Sequence, residues 1–525
     1  MRMTNKIMQN NSLHNINNNK ILQDKLNTQM STGKKLTRPS DDPVVAIRAL
    51  RLRSDVSQIV QFYEKNAPDG EAWMKVTGDA LNTTTDVING MIEQATRGAN
   101  KDMGYEDLDI IVTQLRELKE EFYATGNVDF AGRYVFTGFR TDTPLTYTEE
   151  AVQDFQITEK LTPEAIDTIN YTTIGNLDGL SDVNYDPTAG IGEDQNNIKN
   201  ADIYRIRLSY DQIKDTVPTV QQVTDPTTIP PTTADLIPAG NITVVSSTAD
   251  PNPYELIQQQ PGNAILIPET GELLVGTDLY ENTLKNLPVD TQMRITYEKD
   301  DWKVGDMRPQ HYFECTDKTD PAKVINYNFA KDNTVDPPLE YISMDGVKQI
   351  IEYDVGYNQK VRINTTADEV FTLNMDRNID DMEKAMSELQ TIDFTRNELS
   401  TMLKNMKEGD PGYDNLKATY EAADKAYTYV RENVQKMFEG LISKVQSNLD
   451  TTSVAITDNG TRASRLDLIT NRLMTLKTTF ETLQSTNEDI DITEATIKLT
   501  SASYTYQSAL MATGKILQNS LMNYI

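Results

Sequence analysis

Cysteine is all but missing from these 525 residues: there is one, Cys315. A single thiol can form no internal disulfide and no cysteine cluster for zinc. Histidine is nearly as scarce; His14 and His311 lie far apart with no ligand spacing around either. A metal triad built on imidazole is thereby excluded, and the commonest general base is almost absent. No apolar run approaches the ~18 residues of a membrane span. Met1-Arg2-Met3-Thr4-Asn5-Lys6 leads into an asparagine-rich stretch with no apolar core or small-residue cleavage site, so no cleaved secretory signal is expected. Basic residues are outnumbered, 50 Lys and Arg against 79 Asp and Glu, for a net charge of −29. That balance argues against a nucleic-acid partner, whose phosphates demand a basic surface. It suits a chain that must stay soluble before it assembles. Hydrophobic residues make up 38%. The usual range is ~45–50%, glycine included, so narrow helical seams are expected rather than one large core.

Catalytic arrangements are absent too. There is no G-x-S-x-G and no H-E-x-x-H, and Gly33-Lys34-Lys35 lacks the upstream glycine and following Ser or Thr of a phosphate loop. The acidic loop 186–197 lacks EF-hand spacing. Asp41-Asp42 before Pro43 reads as a helix cap rather than a metal site, with Asp42 at the N-cap and Pro43 at the first helical position. Trp302, Tyr312 and Phe313 could line a ligand groove; the simpler reading is the core of a small β domain. No enzyme, cofactor or metal site is expected.

What is present is periodicity. Leu466, Ile469, Leu473, Leu476, Phe480 and Leu483 hold an unbroken 3-4 spacing, and so do Val45, Ala49, Leu52, Val56, Ile59 and Tyr63. Such stripes are coiled-coil seams, and a seam needs a partner. Leu108, Ile111, Leu115, Leu118 and Phe122 repeat the pattern, and a helix from about Glu71 to Arg97 turns Trp73, Val76, Ala80, Thr83, Val87 and Met91 inward. Val434, Phe438, Leu441, Val445 and Ala455 share one frame with the stripe at 466–483. The polar interval 448–462 keeps that phase, which predicts a single helix from Tyr413 to about Ile490. Asp491 and Glu494 then read as a capping box opening a last helix.

The first 40 residues carry eight asparagines around loosely helical apolar positions, Leu22 and Leu26 among them, and are expected to order only against partners. Residues 1–65 hold 11 Lys and Arg against 5 Asp and Glu, a local +6 in an acidic chain. A solvated helix face is the simpler and preferred reading; a surface for acidic neighbours is the sharper one. From about Phe139 to Thr366 the period falls to 2, with strands expected at 204–210, 264–268, 272–275, 293–299 and 361–364. The Pro/Thr stretch Val217–Pro238 reads as an extended connection. The fold class is therefore mainly α with a β-rich insertion. The expected shape is a long antiparallel helical bundle or coiled-coil rod from the two ends, with a central β-rich knob.

Specific segments carry a resemblance. Met30-Ser31-Thr32-Gly33-Lys34-Lys35-Leu36, Arg38-Pro39-Ser40-Asp41-Asp42-Pro43, Asn127 and Gly132-Arg133-Tyr134-Val135-Phe136-Thr137-Gly138 stand near one end. Asn459-Gly460-Thr461-Arg462-Ala463 and Ser520-Leu521-Met522-Asn523-Tyr524-Ile525 stand at the other. Together they resemble the bacterial flagellin superfamily, in its hook-associated members. Flagellin itself resembles the N-terminal motif but usually has Ala-Ala-Asp-Asp in place of Pro39-Ser40-Asp41-Asp42, and it lacks the Gly-Arg-Tyr-x-Phe run. A flagellin-like filament subunit is the alternative.

The resemblance implies a non-enzymatic structural subunit of the bacterial flagellum, secreted by the type III export route without a cleaved signal peptide. A cytoplasmic export chaperone would hold its C-terminal helices. It would form the hook–filament junction as a ring-like layer of its own copies, between a hook-side junction protein and flagellin, with no membrane or nucleic-acid partner. The implied division is 1–40 and 491–525 as two halves of a terminal assembly domain. Residues 41–138 and 367–490 would be rod helices, and 139–366 a variable β-rich domain. Packing during assembly would fall to Leu22, Leu26, Val45, Leu52, Val56, Ile59, Leu115, Leu466, Ile469, Leu473, Leu476, Phe480, Leu483, Leu517 and Leu521.

Overall fold

The structure is a computed structural model that describes residues 5–36, 38–40, 42–101, 103–177, 180, 185–188, 192–225, 232–328, 340–341 and 349–518. Its long helices are α1 (Asn5–Thr32), α2 (Pro43–Gln61), α3 (Ala67–Gly98) and α4 (Tyr105–Ala124) near one end, and α7 (Asn374–Asn405), α8 (Tyr413–Glu488) and α9 (Ile492–Gln518) near the other. Two short helices, α5 (Pro253–Gln259) and α6 (Thr277–Leu279), lie among the strands. The strands run β1 (Asp129–Phe130), β2 (Arg133–Tyr134), β3 (Ala151–Leu161), β4 (Ile166–Thr173), β5 (Lys199–Arg207), β6 (Thr219–Asp225), β7 (Thr232–Ile237) and β8 (Ile242–Val244). They continue as β9 (Ala264–Ile267), β10 (Glu272–Val275), β11 (Met293–Trp302), β12 (Glu314–Asp317), β13 (Ile325–Asn328), β14 (Glu340–Tyr341), β15 (Glu352–Gly356) and β16 (Gln359–Arg362). Long terminal helices thus flank a central β region. Contacts divide the chain into a terminal unit (1–71, 353–361 and 464–525) and a larger unit (72–352 and 362–463).

In the terminal unit α2 opens as its sequence dictates. Asp42 Oδ1 accepts the backbone N–H of Val44 at 3.0 Å and of Val45 at 3.2 Å, and Pro43 occupies the first turn. A separate helix starting near Glu71 is not what forms. One π-helical turn, Phe62–Asn66, joins α2 to α3 without a break. Pro68 explains it: the ring removes an N–H and crowds the carbonyl four residues back, and the wider turn just before it absorbs both defects.

α9 is capped by Asp491, which accepts from Thr493 N and Glu494 N at 2.8 and 3.1 Å. The expected return bond from Glu494 is replaced by an ion pair to Lys498 at 2.6 Å. α1 packs along α9, burying Leu26, Ala495, Ala502 and Thr513. Ordering of the first 40 residues only by other chains was the expectation; here Asn5–Thr32 is helical against α9 of its own chain.

In the larger unit α3 buries Trp73, Thr77, Ala80, Leu81, Thr84, Val87, Ile88, Met91 and Ala95. The inward threonine is Thr84, not Thr83, which faces solvent. Thr84 Oγ1 satisfies itself on Ala80 O at 2.9 Å and meets Thr125 Oγ1 at 2.8 Å. Leu108, Ile111, Leu115 and Phe122 of α4 are buried, and α4 packs on α7. α8 is continuous for 76 residues, crossing 448–462 as the phase predicts. The inward positions of that interval are Asn448, Thr452, Ala455 and Asn459, all buried, which is how a polar stretch keeps the seam in register.

Among the described residues two larger sheets accompany the two-stranded pairs β1–β2 and β15–β16. A five-stranded sheet has the order β4-β5-β10-β9-β8 and a seven-stranded one the order β14-β13-β12-β3-β11-β6-β7. The stretch 217–238 is a correction: β6 pairs with β11 and β7 with β6, and Val220 is buried. Thr and Val favour strands, and Pro218 and Pro238 lie just outside the two that form. Trp302, Tyr312 and Phe313 are buried core, with Trp302 stacked on Tyr147 at 5.0 Å.

Candidate assembly interface

Gly33 ends α1 at φ +69°, a conformation that costs other residues a clash, and turns the chain back towards the end of α8. Lys35 N donates to Glu488 O at 2.7 Å and Ile490 N to Gly33 O at 3.0 Å, forming an antiparallel bridge at Lys34 and Asp489. Side chains lock it. Arg53 donates Nε to Glu488 Oε1 at 2.7 Å and Nη2 to Oε2 at 2.6 Å, while Lys34 reaches Asp489 at 2.6 Å and Glu488 at 3.4 Å. Hydrogen bonding from Arg53 holds the Glu488 carboxyl below the ordinary carboxylate range against its partial burial. Further along, Asn487 donates to Val45 O and Lys477 pairs with Glu64 at 2.6 Å. The β15–β16 hairpin joins the same unit. Tyr353 bonds Asp69, Tyr357 meets Phe62 edge-on at 6.1 Å, and Asn66 donates to Asp354 O at 2.8 Å.

Within this unit the predicted packing residues divide into two groups. Leu26, Ile59, Leu466, Ile469 and Leu473 are buried, while Val45, Leu52, Val56, Leu476 and Phe480 are half-buried. Leu22 at 47% exposure and Leu483 at 49% face solvent in the single chain. The α8 stripe loses cover beyond Leu473, past the residues where α8 meets the hairpin. Leu115 lies apart, fully buried in the larger unit. The side chain of Leu517, and all of Leu521 and Asp41, fall outside the described residues.

Sequence reasoning missed a second apolar set. Val44, Ile47 and Leu50 on α2 are 70%, 57% and 62% exposed. Ile492, Ile497, Tyr504 and Met511 on α9 and Ile7, Leu13 and Ile21 on α1 are also exposed. Beside Arg53 and Glu488 lies a groove of 180 Å³ whose walls include Leu36, Pro39, Val45, Ala46, Ala49 and Leu50. Pro39, with Ser40 exposed next to it, thus borders an open apolar surface. Val44, Ile47 and Leu50 recur at 3-3 spacing between the seam positions, too short a run to read as a seam.

The other motif residues act within the larger unit. Asn127 Oδ1 accepts from Leu145 N and Thr146 N at 2.9 and 3.2 Å, and its Nδ2 donates to Thr146 Oγ1 at 2.7 Å. Ala131 and Gly132, at φ 53° and 76°, make the two-residue turn between β1 and β2. Arg133 lies over Trp73, 4.9 Å from the ring. Tyr134 N donates to Thr141 O, and Phe136 packs edge-on against Phe371 at 5.2 Å. A Cβ on Gly138 would meet the Gln349 side chain at 2.2 Å. Asn459 Nδ2 donates to Met74 O at 2.8 Å and Arg462 to Asn364 O at 2.6 Å, so this motif ties α8 to α3 and to the segment after β16. Gly460 between them faces open space. Among the described residues no group of acids, histidines and cysteine could hold a metal ion, and no helix is long and apolar enough to cross a membrane.

Residues 3–141 match the family model of the bacterial flagellin N-terminal helical region. The flagellar hook-associated protein 3 of Salmonella typhimurium is 27% identical over 176 residues, covering 33% of this chain and 55% of that protein. Its Escherichia coli counterpart is 28% identical over 144 residues, covering 27% and 45%. The chain therefore spans about half the length of each relative it matches. Among solved structures, FlgL of Xanthomonas campestris aligns with 83% of this chain and 99% of its own, at 12% identity and a TM-score of 0.30, a loose likeness. The N-terminal part of the chain is thus similar to the helical region of bacterial flagellins, a class of flagellar structural proteins. Over a third of its length or less it is similar to flagellar hook-associated protein 3.

Proposed function

We propose that this chain is an extracellular subunit of the bacterial flagellum, forming the thin layer that joins hook to filament. It leaves the cell through the flagellar type III route, held beforehand by a cytoplasmic chaperone on its C-terminal helices. It then packs as a ring of its own copies between a hook-side junction protein and flagellin, as a structural component and not an enzyme. In this reading residues 1–40 and 491–525 are the assembly domain, 41–138 and 367–490 the rod, and 139–366 the variable domain.

The observation that supports it best is the uncovered apolar surface on α1, α2 and α9. Leucines, isoleucines and valines exposed in a row on helices that already have a partner imply further partners. Burying one such side chain contributes about 1.5–3 kcal/mol. Leu22 on α1 belongs to that surface, and Leu483 near the end of α8, also open in the single chain, extends it. The test is gold labelling of an epitope in the β region on shed flagella. One band of label where hook meets filament supports the junction role. Label along the whole filament favours the flagellin alternative, and no label on flagella overturns both.

A further inference from the structure

The larger unit holds a cleft that the assembly reading leaves unused. β4, the edge strand of the five-stranded sheet, is tied to α8 by bonds from Asn433 to Asn170 O and Thr172 Oγ1, at 3.3 and 3.2 Å. Where β4, α5, α7 and α8 fail to close on one another, they leave a space of 340 Å³. That lies within the roughly 300–1,000 Å³ of small-molecule pockets.

Its lining has an aromatic face and cations. Tyr171 stacks on Tyr254, centroids 5.0 Å apart and planes inclined by 13°. Beneath them Arg205 and Arg207 are matched by Glu272 and Asp381 in a closed buried network, so those charges are spent on each other. Two lysines at the cleft are not matched in this way. Lys384 Nζ bonds the Tyr254 hydroxyl at 2.7 Å, and Lys436 Nζ bonds Asn170 Oδ1 at 3.1 Å. Among the described residues neither lysine has a carboxylate within salt-bridge distance. Glu388, also at the cleft, has its carboxyl raised by burial, opposed by Lys384 and reinforced by Glu272.

We propose that this cleft binds a carboxylated sugar, a uronic-acid unit. The tyrosine face takes the C–H side of a pyranose ring, and Lys384 and Lys436 meet its carboxylate. A bare anion leaves the aromatic face without use, and a neutral sugar leaves both lysines without an ion-pair contact. The site is independent of the junction role.

Calorimetry on the full chain with glucuronic acid, glucose and acetate as probes tests it. Glucuronic acid should bind, with glucose and acetate each weaker by about tenfold or more. Lys436→Gln, at a solvent-exposed position, should weaken glucuronic acid by about tenfold with an unchanged melting curve. Lys384→Met should do the same with near-UV circular dichroism unchanged. No heat with glucuronic acid overturns the proposal. So does equal binding of glucose or acetate, or either variant binding like the parent.

Discussion

Arg53 grips Glu488 with two parallel hydrogen bonds across 435 residues of sequence, at 2.7 and 2.6 Å, and Glu488 is only 4% exposed. Bidentate guanidinium–carboxylate pairing fixes direction as well as distance. The pair therefore sets where α2 meets the end of α8, beside the Gly33 turn. Arg53 itself is 55% exposed, so solvent screening trims its worth.

Glu488→Gln should cost roughly 1–2 kcal/mol at neutral pH after that discount. The sign with pH follows from the carboxyl's depressed pKa. A depressed acid contributes stability above its unfolded value and loses it as pH falls through the folded one. Denaturant unfolding of parent and variant should therefore converge in acid. A gap that persists unchanged at low pH contradicts the pairing.

Gly460→Ala should stabilise the protein by about 1 kcal/mol, the difference in helix propensity, since an added Cβ meets nothing within 4 Å. Urea unfolding measures it. Unchanged or lowered stability shows that α8 is not a regular helix at that point.

Leu473→Asp and Leu483→Asp form a matched pair on one stripe. Leu473 is 2% exposed and Leu483 49%. An uncompensated carboxylate at the first should cost several kcal/mol after relaxation. At the second the change should stay within about 0.5 kcal/mol, as at ordinary surface positions. Equal losses contradict the burial gradient along α8.

His311 is buried, and desolvation first, then Arg140 and Arg308, lower its pKa to about 3. The unfolded chain binds that proton near an ordinary 6.5. Neutral burial is thus fully stabilising above about pH 6.5 and is lost progressively as pH falls towards the folded value. His311→Gln should flatten the fall in melting temperature over that window. A variant with the same acid slope as the parent assigns the slope to other groups.

The helices were legible because their apolar spacing survives even where the residues are polar. Asn448, Thr452 and Asn459 occupy inward positions that hydrophobicity alone would skip, yet the phase on either side predicts them. β9 and β10 were legible from two apolar runs around Glu269-Thr270-Gly271. β3 was not, because its inward row reads Phe155, Ile157, Glu159, and the buried Glu159 breaks the alternation. Ser209, just past β5, and Tyr297 of β11 satisfy that carboxylate, which no local pattern reveals. Within β5, β10 and β11, strands that the alternation does reveal, the burial of Arg205, Glu272 and Lys299 is not legible: each looks solvated in sequence and is buried by a partner distant along the chain. The assembly surface was half legible. Its buried stripe follows the 3-4 rule, whereas Val44, Ile47 and Leu50 lie on the open side of α2 and give no seam of their own.

The most direct measurement replaces those open residues together. Ile47→Asp/Leu50→Asp should leave the purified chain's circular dichroism and melting unchanged, because both side chains already face solvent. In cells making only this variant, hooks should be of normal length and bare, with flagellin accumulating in the medium. Full filaments on those cells would show that the exposed apolar face of α2 takes no part in assembly and would contradict the account.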